Sequence, residues 1–217
     1  MILKILSEVI EEDSNKLYYD LINSKPIKYT SITNILNRFS FKDIYISSDL
    51  HFMKNDGIDD NLKIKVHNSI INSNNKAYIN LGDIGYKKEI DKESIIKEKI
   101  KALNKGAFSI LVKGNHDLYD DNTYIDCGFD IVCRSGFIYN NIIFSHIPIL
   151  DNNMINKSYI NIHGHLHGDS MDDYIDYFPN KLYSRNNRIK VYSKENLYKP
   201  ISLYELLYRY KKDKEMI

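Results

Sequence analysis

Along this chain, short apolar runs with period-two alternation take turns with longer stretches in which apolar residues recur every three or four positions. Ile2, Leu6, Val9, Ile10, Leu17 and Leu21 have helical spacing, and Pro26 closes that stretch. A second short helix follows, with Ser31 or Thr33 as its cap and Ile35, Leu36 and Phe39 as its buried stripe. Residues 1–40 therefore read as an N-terminal helical extension ahead of a domain spanning 41–217. The next run, Asp43 to Ser48, alternates Ile44 and Ile46 around Tyr45, as a strand does, and ends in Asp49-Leu50-His51. Helical spacing returns over Leu62 to Ile71. Ala77 to Leu81 is then a strand ending in Gly82-Asp83, and Glu89 to Leu103 an amphipathic helix. A third strand, Phe108 to Val112, runs into Lys113-Gly114-Asn115-His116-Asp117.

Strands and helices alternating in this way predict parallel pairing with right-handed crossovers, which gathers the three polar strand ends along one edge of a sheet. Ligands of open α/β sheets bind at such an edge. Beyond Tyr119 the texture changes. Asp130 to Arg134, Phe137 to Tyr139 and Ile142 to Ser145 are short runs split by Gly136 and Asn140-Asn141, a hairpin-like pattern that predicts an antiparallel second sheet. His146 ends the last of these runs, and Tyr159 to Ile162 is a strand ending in His163-Gly164-His165-Leu166-His167. Residues 168–186 are loop-like, Arg188 to Tyr192 suits a last strand, and Ser202-x-x-Glu205 is a capping box for a closing helix carrying Leu203, Leu206 and Leu207.

Composition narrows the classes only modestly. The 217 residues, 43% hydrophobic and 27% charged, suit one α/β domain able to bury its own core. A formal net charge of +1 gives no global basic field for nucleic acid, and Lys25, Lys28, Arg38 and Lys42 read first as a solvated charged face, with contact to a phosphate backbone as the alternative. Cys127 and Cys133 lack the Cys-x-x-Cys spacing of a zinc or redox motif, which suits buried thiols in a reducing cytoplasm. Lys4, Glu8, Glu11 and Glu12 break the apolar start well short of a membrane span.

In order, the strand ends give Asp49-x-His51, Gly82-Asp83, Gly114-Asn115-His116-Asp117, His146 and Gly164-His165-x-His167. This set resembles the calcineurin-like metallophosphoesterase family in its small stand-alone bacterial or phage form, and five of the seven histidines fall on its motif positions. Tyr198-Lys199-Pro200-Ile201-Ser202-Leu203 is similar to the run before the closing helix of such proteins. The resemblance implies an α/β fold, a four-layer α/β/β/α metallophosphoesterase sandwich with mixed sheets. It also implies two divalent transition-metal ions, manganese first, with iron, nickel, zinc or cobalt as alternatives. Imidazole, carboxylate and amide donors suit such borderline metals better than magnesium or calcium. One metal is implied at Asp49, His51 and His167, the other at Asn115, His146 and His165, with Asp83 bridging at the ~3.5 to 4 Å separation of two-metal phosphoryl chemistry.

The implied activity is hydrolysis of a phosphate ester, a diester above all, by a hydroxide shared between the metals. His116 is the implied acid toward the leaving oxygen, Asp117 its support or that of the loop, and Asn115 and His116 face the substrate. A phosphomonoesterase, a nuclease acting on nucleic acid or nucleotide, and a non-catalytic interaction scaffold of the same fold are the alternatives, and the extension leaves room for a homodimer. His163, on the opposite face of its strand, is expected as a hydrogen-bonding neighbour and His67 as a structural residue, while Tyr86 and Tyr119 are candidates to stack on a substrate base.

Overall fold

The computed structural model describes residues 26–72, 75–85, 93–149, 158–167 and 187–215. The first expected helix, Tyr86 and the loop 168–186 lie outside them. Two sheets form the centre. In the first, β1 (Ile44–Ser47), β2 (Ala77–Asn80), β3 (Phe108–Val112) and β4 (Ile131–Cys133) run parallel, and β9 (Ile201–Ser202) lies antiparallel beside β1, giving the order β4-β3-β2-β1-β9. The second has the order β5-β6-β7-β8, formed by Phe137–Tyr139, Ile142–Ser145, Ile160–His163 and Arg188–Lys190.

Strand alternation sorts the side chains into layers. Ile44, Ile46, Ile79, Ile110 and Val112 share one core with Phe137, Tyr139, Phe144 and Ile162 between the sheets. Their sequence neighbours Tyr78 and Leu111 face the other way, into a second core with Ile96, Ile100 and Tyr124. There the first sheet is covered by α2 (Asp60–Ile70), α3 (Glu93–Ala102) and α4 (Asp121–Asp126). Sheet faces covered on both sides explain why β2 and β3 are buried at every position. At the periphery α1 (Thr30–Leu36) packs beside β5, and α5 (Leu203–Glu215) beside β1 and β9. Although α1 falls within the expected extension, its Ile32 and Leu36 are buried in the inter-sheet core.

Several local expectations need correcting. The run at 131–133 joins the first sheet beside β3, and in the second sheet β5 and β6 pair antiparallel while β6, β7 and β8 are parallel, so that sheet is mixed. Gly136, in the left-handed region with φ 84°, turns the chain from one sheet to the other where hairpin spacing suggested a single ribbon. Tyr29 rather than Ser31 or Thr33 precedes α1 as its cap residue, and the Thr33 hydroxyl donates back to the Tyr29 carbonyl at 3.1 Å. In the expected capping box, Ser202 accepts from the Glu205 amide at 3.2 Å, but the Glu205 carboxylate pairs with Arg209 instead of reaching back.

Candidate metal centre

Each polar strand end opens a loop at the same side of the molecule. Asp49 and His51 follow β1, Asp83 follows β2, and Asn115, His116 and Asp117 follow β3. Because these three strands are parallel, their carboxyl ends lie together. His146 follows β6 and His165 and His167 follow β7, again a parallel pair.

The side chains converge in two groups. In the first, His167 Nε2 lies 3.0 Å from Asp49 Oδ1 and 2.8 Å from His51 Nε2, which in turn is 3.7 Å from Asp49 Oδ1 and 3.8 Å from Asp83 Oδ2. In the second, His146 Nε2 lies 3.4 Å from Asp83 Oδ2, 3.1 Å from Asn115 Oδ1 and 3.3 Å from His165 Nδ1. The donor atoms of Asp49, His51, Asp83 and His167 all fall within 4.8 Å of one another, as do those of Asp83, His146 and His165. Asp83 belongs to both groups.

These residues fit two cations. Asp83 Oδ1 accepts from the His116 amide at 2.9 Å, but Oδ2, fully buried, has no hydrogen-bond partner among the described residues and faces imidazole nitrogens instead. A buried carboxylate oxygen left unpaired is costly unless a positive charge meets it. The outer atoms are already engaged. His146 Nδ1 donates to the Leu81 carbonyl at 2.7 Å, turning the Nε2 lone pair inward. Asp49 Oδ2 accepts from the Ser48 hydroxyl at 2.5 Å and the His165 amide at 3.1 Å, which leaves Oδ1 for the centre.

Electrostatics agree with that reading. Burial works to raise Asp83, but contact with His146 and the nearby His116 and His51 outweigh it and hold the carboxyl well below its ordinary value. Burial works to lower His146, but Asp83 and then Asp49 push it up to about 9. Surroundings that stabilise positive charge at this imidazole also stabilise a cation within its reach. Burial lowers His51 to about 4 and His165 to about 3, which leaves both neutral, as ligation requires.

The loops are strained and tightly packed. Asp49, His51, Asp83 and His165 all have left-handed backbone, with φ of 57°, 45°, 54° and 68°. Such conformations persist only where neighbours enforce them, and they cluster at functional sites. A Cβ on Gly114 would collide with the Asp83 carboxylate, and one on Gly82 would stand 2.8 Å from His146 Nδ1. Glycine at these two positions therefore lets the loops touch backbone to backbone. Asp117 ties them together. Its Oδ2 accepts from the amides of Asp83 at 2.7 Å and Gly114 at 2.8 Å, and its Oδ1 from Ile84 at 3.1 Å. Burial, followed by the Asp83 charge, raises this carboxyl to about 6. His116 is partly open, its side chain 27% exposed and its Nε2 4.0 Å from Asp83 Oδ2.

Two participants escaped the sequence reading. Ser48 orients Asp49, and Tyr192 stacks on His167 with ring centres 5.2 Å apart and planes 14° from parallel. Ser48 adjoins a ligand and could have been noticed, whereas nothing local marks Tyr192. His163 bonds through Nδ1 to the Gly164 carbonyl at 2.9 Å, and buried His67 meets Tyr78 edge to face. Tyr119, partly buried, packs against the helix-side core with its ring 6.1 Å from that of Tyr124.

Residues 42–214 match the family model described as calcineurin-like phosphoesterase. No curated protein matches the chain. Among solved structures, a protein of unknown function from Aquifex aeolicus is similar with a TM-score of 0.50 and 22% identity, over 75% of this chain and 96% of that one. The nuclease MPE of Pseudomonas putida is similar with a TM-score of 0.42 and 14% identity, over 58% and 62% of the two chains.

Proposed function

Since the chain belongs to the calcineurin-like phosphoesterase family, we propose that it is a phosphodiesterase with a two-cation centre. Asp49, His51 and His167 hold one cation, Asn115, His146 and His165 the other, and Asp83 both. The observation that carries this reading is the buried Asp83 Oδ2, which has no hydrogen-bond partner among the described residues, faces imidazole nitrogens and is shared by the two donor groups. Manganese is the metal put first, with iron, nickel, zinc or cobalt as alternatives, because the mixed nitrogen and oxygen donors suit divalent transition metals as a class. When bound, the two ions supply Lewis-acid activation of water and neutralise the charge of a phosphate ester.

The chain's own residues do the rest. His116, anchored through its amide on Asp83 and partly open, delivers a proton to the leaving oxygen. Asn115 adds a neutral amide oxygen, which avoids another negative charge facing the phosphate. Asp117 positions the loops that carry Asp83 and Asn115 through its three amide contacts. Cys127 and Cys133, both free and buried, suit a cytoplasmic setting.

The test is hydrolysis by the manganese-loaded protein of bis(p-nitrophenyl) phosphate, p-nitrophenyl phosphate and single-stranded DNA. Faster turnover of the chromogenic diester is expected. Preference for the monoester would make the chain a phosphomonoesterase, and preference for DNA with steep salt dependence a nuclease. No turnover of any of them with both ions bound would favour the scaffold.

A further inference from the structure

The loop bearing Asp49 and His51 is the most strained part of the centre. Met53, with φ 70°, joins those two residues in the left-handed region, so three of five consecutive positions take a conformation that non-glycine residues rarely adopt. Backbone amides hold one side of it. Asp49, His51 and Phe52 donate to the carbonyls of Gly82, Asp83 and Ile84 at 2.9, 3.0 and 2.7 Å.

The other side is held by a fully buried ammonium group. Lys63, from α2, places Nζ 3.2 Å from the Leu50 carbonyl, 3.4 Å from the His51 carbonyl, 3.0 Å from Asp56 Oδ2 and 3.4 Å from Asp60 Oδ1. Tyr198, the first residue of the Tyr198-Lys199-Pro200 run, lays its ring 5.1 Å from this Nζ and donates its hydroxyl to Asp56 Oδ2 at 3.1 Å. Asp60 Oδ2 in turn accepts from the Met53 amide at 2.9 Å. A lysine buried so deeply needs carboxylates and carbonyls around it, and here the carbonyls are those of the ligand-bearing turn.

We propose that Lys63, Asp56 and Tyr198 form a positioning brace for the half of the centre built on Asp49, His51 and His167. The inference rests on the two-cation reading above. Lys63 acts on the carbonyls of the turn, Asp56 and Tyr198 act through Lys63, and none of the three is among the donor residues of the centre. Lys63 reaches the carbonyls of Leu50 and His51, on the turn that carries Asp49 and His51, whereas Asn115, His146 and His165 stand on the loops after β3, β6 and β7.

Selective loss of one cation is therefore the signature. Manganese binding to the full chain would be measured by titration, with electron paramagnetic resonance to separate coupled ion pairs from single ions, for wild type, Lys63→Met, Asp56→Asn and Tyr198→Phe. In Tyr198→Phe and Asp56→Asn one equivalent should weaken by about 10- to 100-fold, as supporting-residue losses do, and the coupled signal should give way to that of isolated ions. Lys63→Met should do the same more strongly. If it fails to fold, the other two variants decide. Both equivalents retained at wild-type affinity in those two variants would overturn the brace, as would equal weakening of both. A wild-type chain binding fewer than two equivalents would instead overturn the two-cation reading.

Discussion

Replacing Asp117 separates a structural role from a chemical one. Its carboxylate is buried and accepts three backbone amides, those of Asp83 and Gly114 on one oxygen and that of Ile84 on the other. Alanine would leave all three N–H groups without an acceptor. At about 1–3 kcal/mol for each buried donor stranded, partly offset by water entering the space, the expected loss is roughly 3–6 kcal/mol. Asparagine keeps one oxygen for Asp83 and Gly114 but turns an NH2 group toward the Ile84 amide, so it should cost only about 1–3 kcal/mol. Urea unfolding of the chelator-treated protein, followed by circular dichroism, reads both changes without interference from metal binding. The reasoning fails if Asp117→Asn is as stable as wild type while turnover collapses, because Asp117 would then take part in the chemistry itself.

Two further outcomes can be checked independently. His116→Ala should retain both manganese equivalents yet lose about 10²–10⁴-fold in diester turnover by initial rates, and a change within about threefold would remove its role as acid. His67 is fully buried against Tyr78, and burial lowers it to about 4. Because this folded-state value lies below the ~6.5 of an unfolded histidine, its contribution is complete above pH ~6.5 and is lost as pH falls toward about 4, roughly 3 kcal/mol in all. Chemical denaturation across that window should show a shallower acid loss in His67→Leu than in wild type, and parallel curves would contradict the assignment.

For β1, β2 and β3 the convergence of the strand ends was legible in the sequence, because apolar alternation locates these strands and parallel pairing brings their carboxyl ends together; for β6 and β7, expected in an antiparallel sheet, the parallel pairing that does the same was not. The choice of ligand-type side chains came from the resemblance of the whole motif set to the metallophosphoesterase family, and the structure brings the donor atoms of Asp49, His51, Asp83 and His167, and of Asp83, His146 and His165, within 4.8 Å of one another. The less legible features depend on contacts distant in sequence. Local pattern shows Asp117 as one more polar residue in a turn, while its partners come from the loop after β2. Lys63 reads as a solvated helix position because nothing nearby reveals that Tyr198 will close over it. The placement of β4 was misread because short runs separated by glycine look alike whether the chain folds back on itself or crosses to another sheet. The six-residue helix α4 passed unnoticed, although Asp120, which accepts from the Thr123 amide at 2.8 Å, was a visible cap.

The central claim is that one buried carboxylate holds two cations. The most direct measurement is the manganese stoichiometry of Asp83→Ala beside that of wild type, by equilibrium dialysis and elemental analysis, with circular dichroism to show that the variant is folded. Two equivalents per wild-type chain and loss of both in the variant are predicted. A folded Asp83→Ala protein that still binds two equivalents with wild-type affinity would contradict the account.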